Sequence, residues 1–191
     1  FNLIYLAKEP IFIHIYEPPE DDEGNGGQIL WFGLEPQLTE EEENMRRELV
    51  ETLLQEAPTA PTFTTDGEFE NILTQMVERY TVLENDVGVT PRRQGRLWEM
   101  IGMDDKRVIV TPDQRKRLEY IIIRDLIKNG PLEPLLSDEM LEDIHSVGLK
   151  HIHMDHKVFG MVTSNIRFRE REILSRYLRA MSERIGRPVS D

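Results

Sequence analysis

The chain has 191 residues, enough for one ordinary domain or two small ones, and 39% of them are hydrophobic, enough to furnish a core. Asp and Glu number 36 against 23 Lys and Arg, and the resulting net charge of −13 repels phosphate backbones and anionic lipid heads, which argues against nucleic-acid binding. The absence of cysteine removes disulfide frameworks and thiolate metal sites, and fits a reducing cytosol.

No window approaches the roughly 20 consecutive apolar residues that cross a bilayer, so no direct membrane insertion is expected. The chain opens on Phe1 rather than Met and stops at Pro188-Val189-Ser190-Asp191 without a C-cap. It is therefore expected to be part of a longer protein. Pro10-Ile11-Phe12-Ile13-His14-Ile15-Tyr16 alternates apolar faces and reads as a strand. An acidic, Gly-rich loop from Glu17 to Gly27 separates it from an apolar run, Gln28 to Leu34, so a long-looped β-hairpin is expected. Thr39 and Glu42 form a capping box that opens a helix with Met45, Leu49 and Leu53 on one stripe. Ala57-Pro58-Thr59-Ala60-Pro61-Thr62 reads as a semi-rigid linker.

A second capping box, Thr65 and Glu68, precedes the clearest helical pattern: Phe69, Ile72, Leu73, Met76, Val77, Tyr80 and Leu83. Thr90-Pro91 opens a short helix bearing Leu97, Trp98 and Ile101. Thr111-Pro112-Asp113 opens a longer one facing inward through Leu118, Ile121, Ile122 and Leu126, closed by Asn129-Gly130-Pro131. From Glu142 the periodicity shortens. Glu142 to Val147, Lys150 to Asp155 and Val158 to Thr163 read as strands, with Asn165 to Phe168 as a fourth. A last helix carries Ile173, Leu174, Tyr177, Leu178, Met181 and Ile185.

The expected fold class is α+β. It comprises a β-hairpin and helix subdomain over residues 1–56, a Pro/Thr linker over 57–65, a helical segment over 66–136, and over 137–191 a small antiparallel sheet packed with a C-terminal helix.

His151-Ile152-His153-Met154-Asp155-His156 spells H-x-H-x-D-H, the zinc signature of metallo-β-lactamase-type hydrolases. Imidazoles with a carboxylate suit zinc, so a zinc hydrolase using His151, His153 and His156 is one reading. Completing such a site takes ligands further downstream, and no histidine follows His156. The competing expectation is that Ile152 and Met154 fill a core while the histidines face solvent or a partner. No P-loop, G-x-S-x-G or H-E-x-x-H is present.

A family resemblance rests on residues 117–188. Tyr120-Ile121-Ile122-Ile123-Arg124-Asp125-Leu126-Ile127 leads to Gly130-Pro131-Leu132-Glu133-Pro134-Leu135-Leu136 and Asp138. Leu141-Glu142-Asp143-Ile144 follows, running to Gly148. Then come His156 to Gly160, Thr163-Ser164-Asn165-Ile166-Arg167-Phe168 and Gly186-Arg187-Pro188-Val189-Ser190. In order and spacing these segments resemble the type II/IV secretion ATPase superfamily, particularly its archaeal secretion, pilus and archaellum motors. Ser146-Val147 departs from the more polar pair usual after E-D-I. Residues 1–56 match more loosely and 57–116 hardly at all.

The resemblance implies the N-terminal lobe of a hexameric motor ATPase serving protein secretion or pilus or archaellum assembly, at the cytoplasmic face of the membrane. ATP and magnesium would bind a C-terminal lobe that this chain lacks, and the chain itself would hold no cofactor, bind no metal and catalyse nothing. Its partners would be the C-terminal ATPase domains of its own and neighbouring subunits and a membrane platform protein. Arg167 and Arg187 are the implied contacts to ATP phosphates. The alternative within the same residues is an interaction module that docks on a secretion platform without an ATPase core.

Overall fold

A computed structural model describes residues 1–19, 27–86 and 107–184. In chain order the elements are β1 (Asn2–Lys8), β2 (Ile11–Tyr16), β3 (Ile29–Leu34), α1 (Glu40–Glu56), α2 (Asp66–Tyr80), β4 (Thr81–Leu83), β5 (Val108–Val110), α3 (Pro112–Leu126), α4 (Glu133–Ser137), β6 (Leu141–His145), β7 (His153–His156), β8 (Gly160–Ser164) and α5 (Arg171–Arg184). The class is α+β, as expected. Among the described residues no helix is long and apolar enough to cross a membrane.

Two compact units emerge, one of residues 1–35 with 131–191, the other of residues 36–130. This differs from the linear division at residues 57–65 and 137. The first unit holds a single six-stranded sheet in the order β1-β2-β3-β8-β7-β6, with α4 and α5. The expected hairpin is present as β2 and β3, antiparallel with Phe12 opposite Leu34 and Tyr16 opposite Leu30. Its partner across the chain is β8, which runs parallel to β3 with Leu30 beside Thr163 and Trp31 beside Ser164. The hairpin and the C-terminal strands are thus one sheet, in which β8 pairs with the main-chain groups that β3 turns away from β2.

Two further departures concern single segments. β1 has no counterpart in the expected pattern, since Asn-Leu-Ile-Tyr-Leu-Ala lacks polar and apolar alternation. Asn165 to Phe168 is not a strand but a loop.

Alternation along β2 sends Ile11, Ile13 and Ile15 into the core, together with Trp31 of β3. α4 packs on this face. A side chain at Gly33 would sit 2.7 Å from the Pro134 Cβ and 3.1 Å from the Trp31 ring, so only glycine lets the helix approach β3 so closely. From the C-terminal strands come Met154 and Val162, with Ile152 just before β7. The Gly160 backbone, at φ +68°, makes the turn from β7 to β8 that other residues rarely adopt.

One buried carboxylate joins these pieces. Asp138 follows α4 directly. Its Oδ2 accepts from the Tyr5 hydroxyl at 2.7 Å and from Trp31 Nε1 at 2.9 Å, and its Oδ1 accepts from the Met140 amide at 3.0 Å. Tyr5 lies on β1 and Trp31 on β3, so three separate segments meet at one side chain. Because the Tyr5 proton is given to Asp138, its oxygen accepts from His156 Nε2 at 3.3 Å. His156 Nδ1 in turn accepts the Val158 amide at 3.1 Å. That assigns a neutral imidazole protonated on Nε2. Burial, with the hydrogen bond to Asp138 and its charge, raises the Tyr5 hydroxyl well above the usual phenol range. Burial is also what lowers the His156 pKa; the Lys157 charge adds to it, while Asp138 opposes it.

The second unit is built on three capped helices. Thr39 accepts from the Glu42 amide and Glu42 accepts from the Thr39 amide; Thr65 with Glu68, and Thr111 with Gln114, repeat the arrangement. The core joins Leu49 and Leu53 of α1, Leu73, Val77 and Tyr80 of α2, and Ile122 and Ile123 of α3, with Ile127 just beyond. Leu126, expected inside, is exposed, because the inward stripe of α3 turns onto Ile123 and Ile127. α2 ends at Tyr80, and Leu83 belongs to β4, which pairs parallel with β5. The Glu42 carboxylate also takes Arg117 of α3 in an ion pair. Burial alone would raise the Glu42 pKa, but Arg117 and the Thr39 amide together hold it below the usual carboxylate range. The short helix expected from Thr90 to Ile101 lies outside the described residues, as do Ile185 and Gly186.

Removing the Asp138 carboxylate strands two buried donors and one amide. Asp138→Ala is therefore expected to cost about 3 kcal/mol or more, and Tyr5→Phe about 1–2 kcal/mol. Urea unfolding of the two variants beside the wild type measures this; equal midpoints would remove Asp138 from its role.

His156 titrates below an ordinary histidine, so the unfolded chain takes up its proton first as the pH falls. Its contribution is complete above about pH 6.5 and is lost as the pH drops from there toward the depressed folded pKa. Melting temperature should decline between pH 7.5 and 5.5, and His156→Gln should flatten the decline. An unchanged slope in that variant would remove His156 from the pH dependence.

Candidate functional site

The segment linking β8 to α5 is anchored on both sides of one arginine. Ahead of it, the Asn165 amide donates to the Trp31 carbonyl at 3.0 Å, and Asn165 Oδ1 accepts from the Gly33 amide at 3.2 Å. The Ile166 amide donates to Ser164 Oγ at 2.8 Å, closing a local turn. Behind it, Phe168 is buried with its ring 5.3 Å from Tyr177 of α5. Between these anchors Arg167 is exposed and makes no hydrogen bond or ion pair among the described residues.

Arg169 and Arg171 are exposed and equally unpaired among the described residues. Sequence reasoning missed both. Their signal was the spacing, arginines at 167, 169 and 171 in a chain of net charge −13. Chemically, this segment and the start of α5 offer three cations that make no ion pair among the described residues, alternating with Glu170 and Glu172. An oxyanion docking there would meet guanidinium donors in forks suited to phosphate. Arg187, the other expected phosphate contact, lies outside the described residues.

The H-x-H-x-D-H string is dispersed by strand geometry. His153 and Asp155 share one face of β7, while Met154 and His156 share the other, as the period of two requires. His156 is buried on Tyr5, which corrects the expectation that all these histidines face solvent or a partner. His153 Nδ1 lies 2.9 Å from Thr163 Oγ1. His151, ahead of the strand, donates from Nδ1 to the Ser164 carbonyl at 3.1 Å. His145 of β6 donates from Nε2 to Asp155 Oδ2 at 3.3 Å across the strands. Ile152 and Met154 are buried, as expected. Among the described residues no three His, Asp or Glu side chains converge as metal ligands do.

No family model matches the chain. It is 37% identical over all 191 residues to an uncharacterized protein of Methanocaldococcus jannaschii, of which the match covers 33%. A second uncharacterized protein of that organism is 30% identical over 88 residues, 46% of this chain and 35% of the relative. The chain thus spans about a third of the length of the curated relatives it matches.

Proposed function

We propose that this chain is the N-terminal, non-catalytic lobe of a secretion-type motor ATPase, a regulatory and assembly domain that closes on nucleotide held by a C-terminal core. The observation that carries the reading is Arg167: an exposed cation without a partner among the described residues, on a loop anchored at Asn165 and Phe168, inside the T-x-N-I-x-F segment of the family resemblance. Two other segments of that resemblance form elements of the sheet-bearing unit. Glu133-Pro134-Leu135-Leu136 forms α4, and Leu141-Glu142-Asp143-Ile144 opens β6. The archaeal relative that matches the whole chain has about two thirds of its length outside the match, which leaves room for a nucleotide-binding core.

In this reading ATP and magnesium, held by the core, supply the phosphoryl chemistry. The lobe contributes charge. Arg167, with Arg169 and Arg171 beside it and Arg187 further on, would offset negative charge developing on the γ-phosphate as the lobes close. The subunits would form a hexameric ring at the cytoplasmic face of the membrane, meeting the neighbours' ATPase domains and a platform protein of a secretion, pilus or archaellum system.

A cation that acts in the transition state affects turnover more than binding. In the full-length protein, Arg167→Ala is expected to lower kcat by about tenfold or more, and to lower it more than it raises KM. The melting temperature should stay within that of a surface substitution, and Arg167→Lys should recover part of the rate. A kcat within about twofold of wild type would remove Arg167 from the nucleotide site.

The 191-residue chain by itself is expected to release no phosphate from magnesium ATP, since its sequence contains no P-loop. Turnover above a heat-killed control that survives further purification would overturn the non-catalytic assignment.

A further inference from the structure

The six-stranded sheet has two edges that differ in kind. β6, at one edge, carries Glu142, Asp143 and His145, the charges by which proteins keep a strand from pairing with another molecule. β1, at the other, has no charged side chain from Asn2 to Ala7. Its guard lies only at the far end, where a bulge falls between Leu6 and Lys8.

The ladder identifies which main-chain groups of β1 are free among the described residues. The Glu17 amide donates to the Phe1 carbonyl at 3.1 Å, so Phe1 and Glu17 are a hydrogen-bonded pair. Alternation along an antiparallel pair then turns Leu3 and Tyr5 toward β2, and turns the N–H and C=O groups of Asn2, Ile4 and Leu6 outward. Ile4 and Leu6 also stand on the sheet face opposite the core. They are 58% and 54% exposed, and the register carries that face on through Phe12 at 45% and Leu34 at 41%.

We infer that this edge pairs with β1 of a second copy, antiparallel and centred on Ile4, to form a symmetric dimer. The occupant must be a short strand that brings an apolar side chain beside Ile4 and no charge beside Leu6. β1 meets each condition itself. With Ile4 opposite Ile4, Asn2 of each copy faces Leu6 of the other, and all six outward groups of each strand find partners. The bulge and Lys8 limit the pairing to these five residues, which keeps the two acidic copies in contact only where neither is charged. So small an interface, under about 1,200 Å² in total, belongs with weak, reversible association. The inference is independent of the motor reading.

Sedimentation velocity on the 191-residue chain over about 5–200 µM, the range that suits a weak contact, is expected to show a monomer–dimer equilibrium. Ile4→Lys should weaken it at least about tenfold by charging the edge. Met161→Lys alters an exposed residue of β8 away from the edge, and should leave it unchanged. Since the chain has no cysteine, Ile4→Cys supplies a single thiol that faces its counterpart at disulfide distance. It should oxidise to a covalent dimer, and Met161→Cys should not. A wild type that stays monomeric, a dimer that survives Ile4→Lys, or equal cross-linking of the two cysteine variants overturns the edge pairing. Dissociation by Met161→Lys instead would mean that the faces stack.

Discussion

Asp138 is the group around which the sheet-bearing unit is organised. Its carboxylate is buried, and a buried carboxylate is tolerable only when its oxygens are well supplied with donors. Those donors come from Tyr5, Trp31 and Met140, and the first two lie 133 and 107 positions away in sequence. The N-terminal strands therefore cannot leave the sheet without stranding a charge. Neither can the turn into β6 move without releasing the Tyr5 hydroxyl, on which His156 depends. The same node accounts for an unusual chain path: residues 36–130 form their own unit between two stretches that fold together. A long insertion of that kind costs little in loop entropy once the stretches on either side are held to each other.

From this frame follows the character of the Arg167 loop. Asn165 reaches back to β3 through both its amide and its side chain, and β3 is the strand whose Trp31 is held by Asp138. The arginine is thus carried on backbone whose ordering has already been met by folding, which lowers the entropy that an anion would otherwise forfeit on binding. Its charge is also not spent. A surface ion pair would have contributed little to stability, so a guanidinium without a partner among the described residues forfeits little by standing alone.

Local chemistry made several elements legible in the sequence. Thr39 with Glu42, and Thr65 with Glu68, place their helix starts within a single turn of chain, because a capping box satisfies its own free amides and needs nothing distant. Thr111-Pro112 does the same for α3. The alternation of Ile11, Ile13 and Ile15 marked β2 and its buried face, since a strand's side-chain period is intrinsic to its backbone. Ile152 and Met154 were recognisable as core for the same reason. Arg167 was legible as a candidate through its motif, though not its lack of a carboxylate partner among the described residues.

Tertiary structure decided what depends on partners remote in sequence. β1 is an edge strand with a face left open, so no polar–apolar rhythm announced it, and only pairing with β2 defines it. The parallel union of β3 with β8 made one sheet out of two expected pieces, and nothing local encodes which strand a free edge will choose. The histidine string was separated by the faces of β7, with His156 drawn inside by Tyr5, a residue 151 positions away. At the end of α3, packing against α1 and α2 selected Ile123 and, just beyond the helix, Ile127 over Leu126, although all three are apolar in the sequence. Capping, turns and alternation are properties of a few neighbouring residues and are written in their order; pairing, burial and the satisfaction of a buried charge are properties of the folded whole.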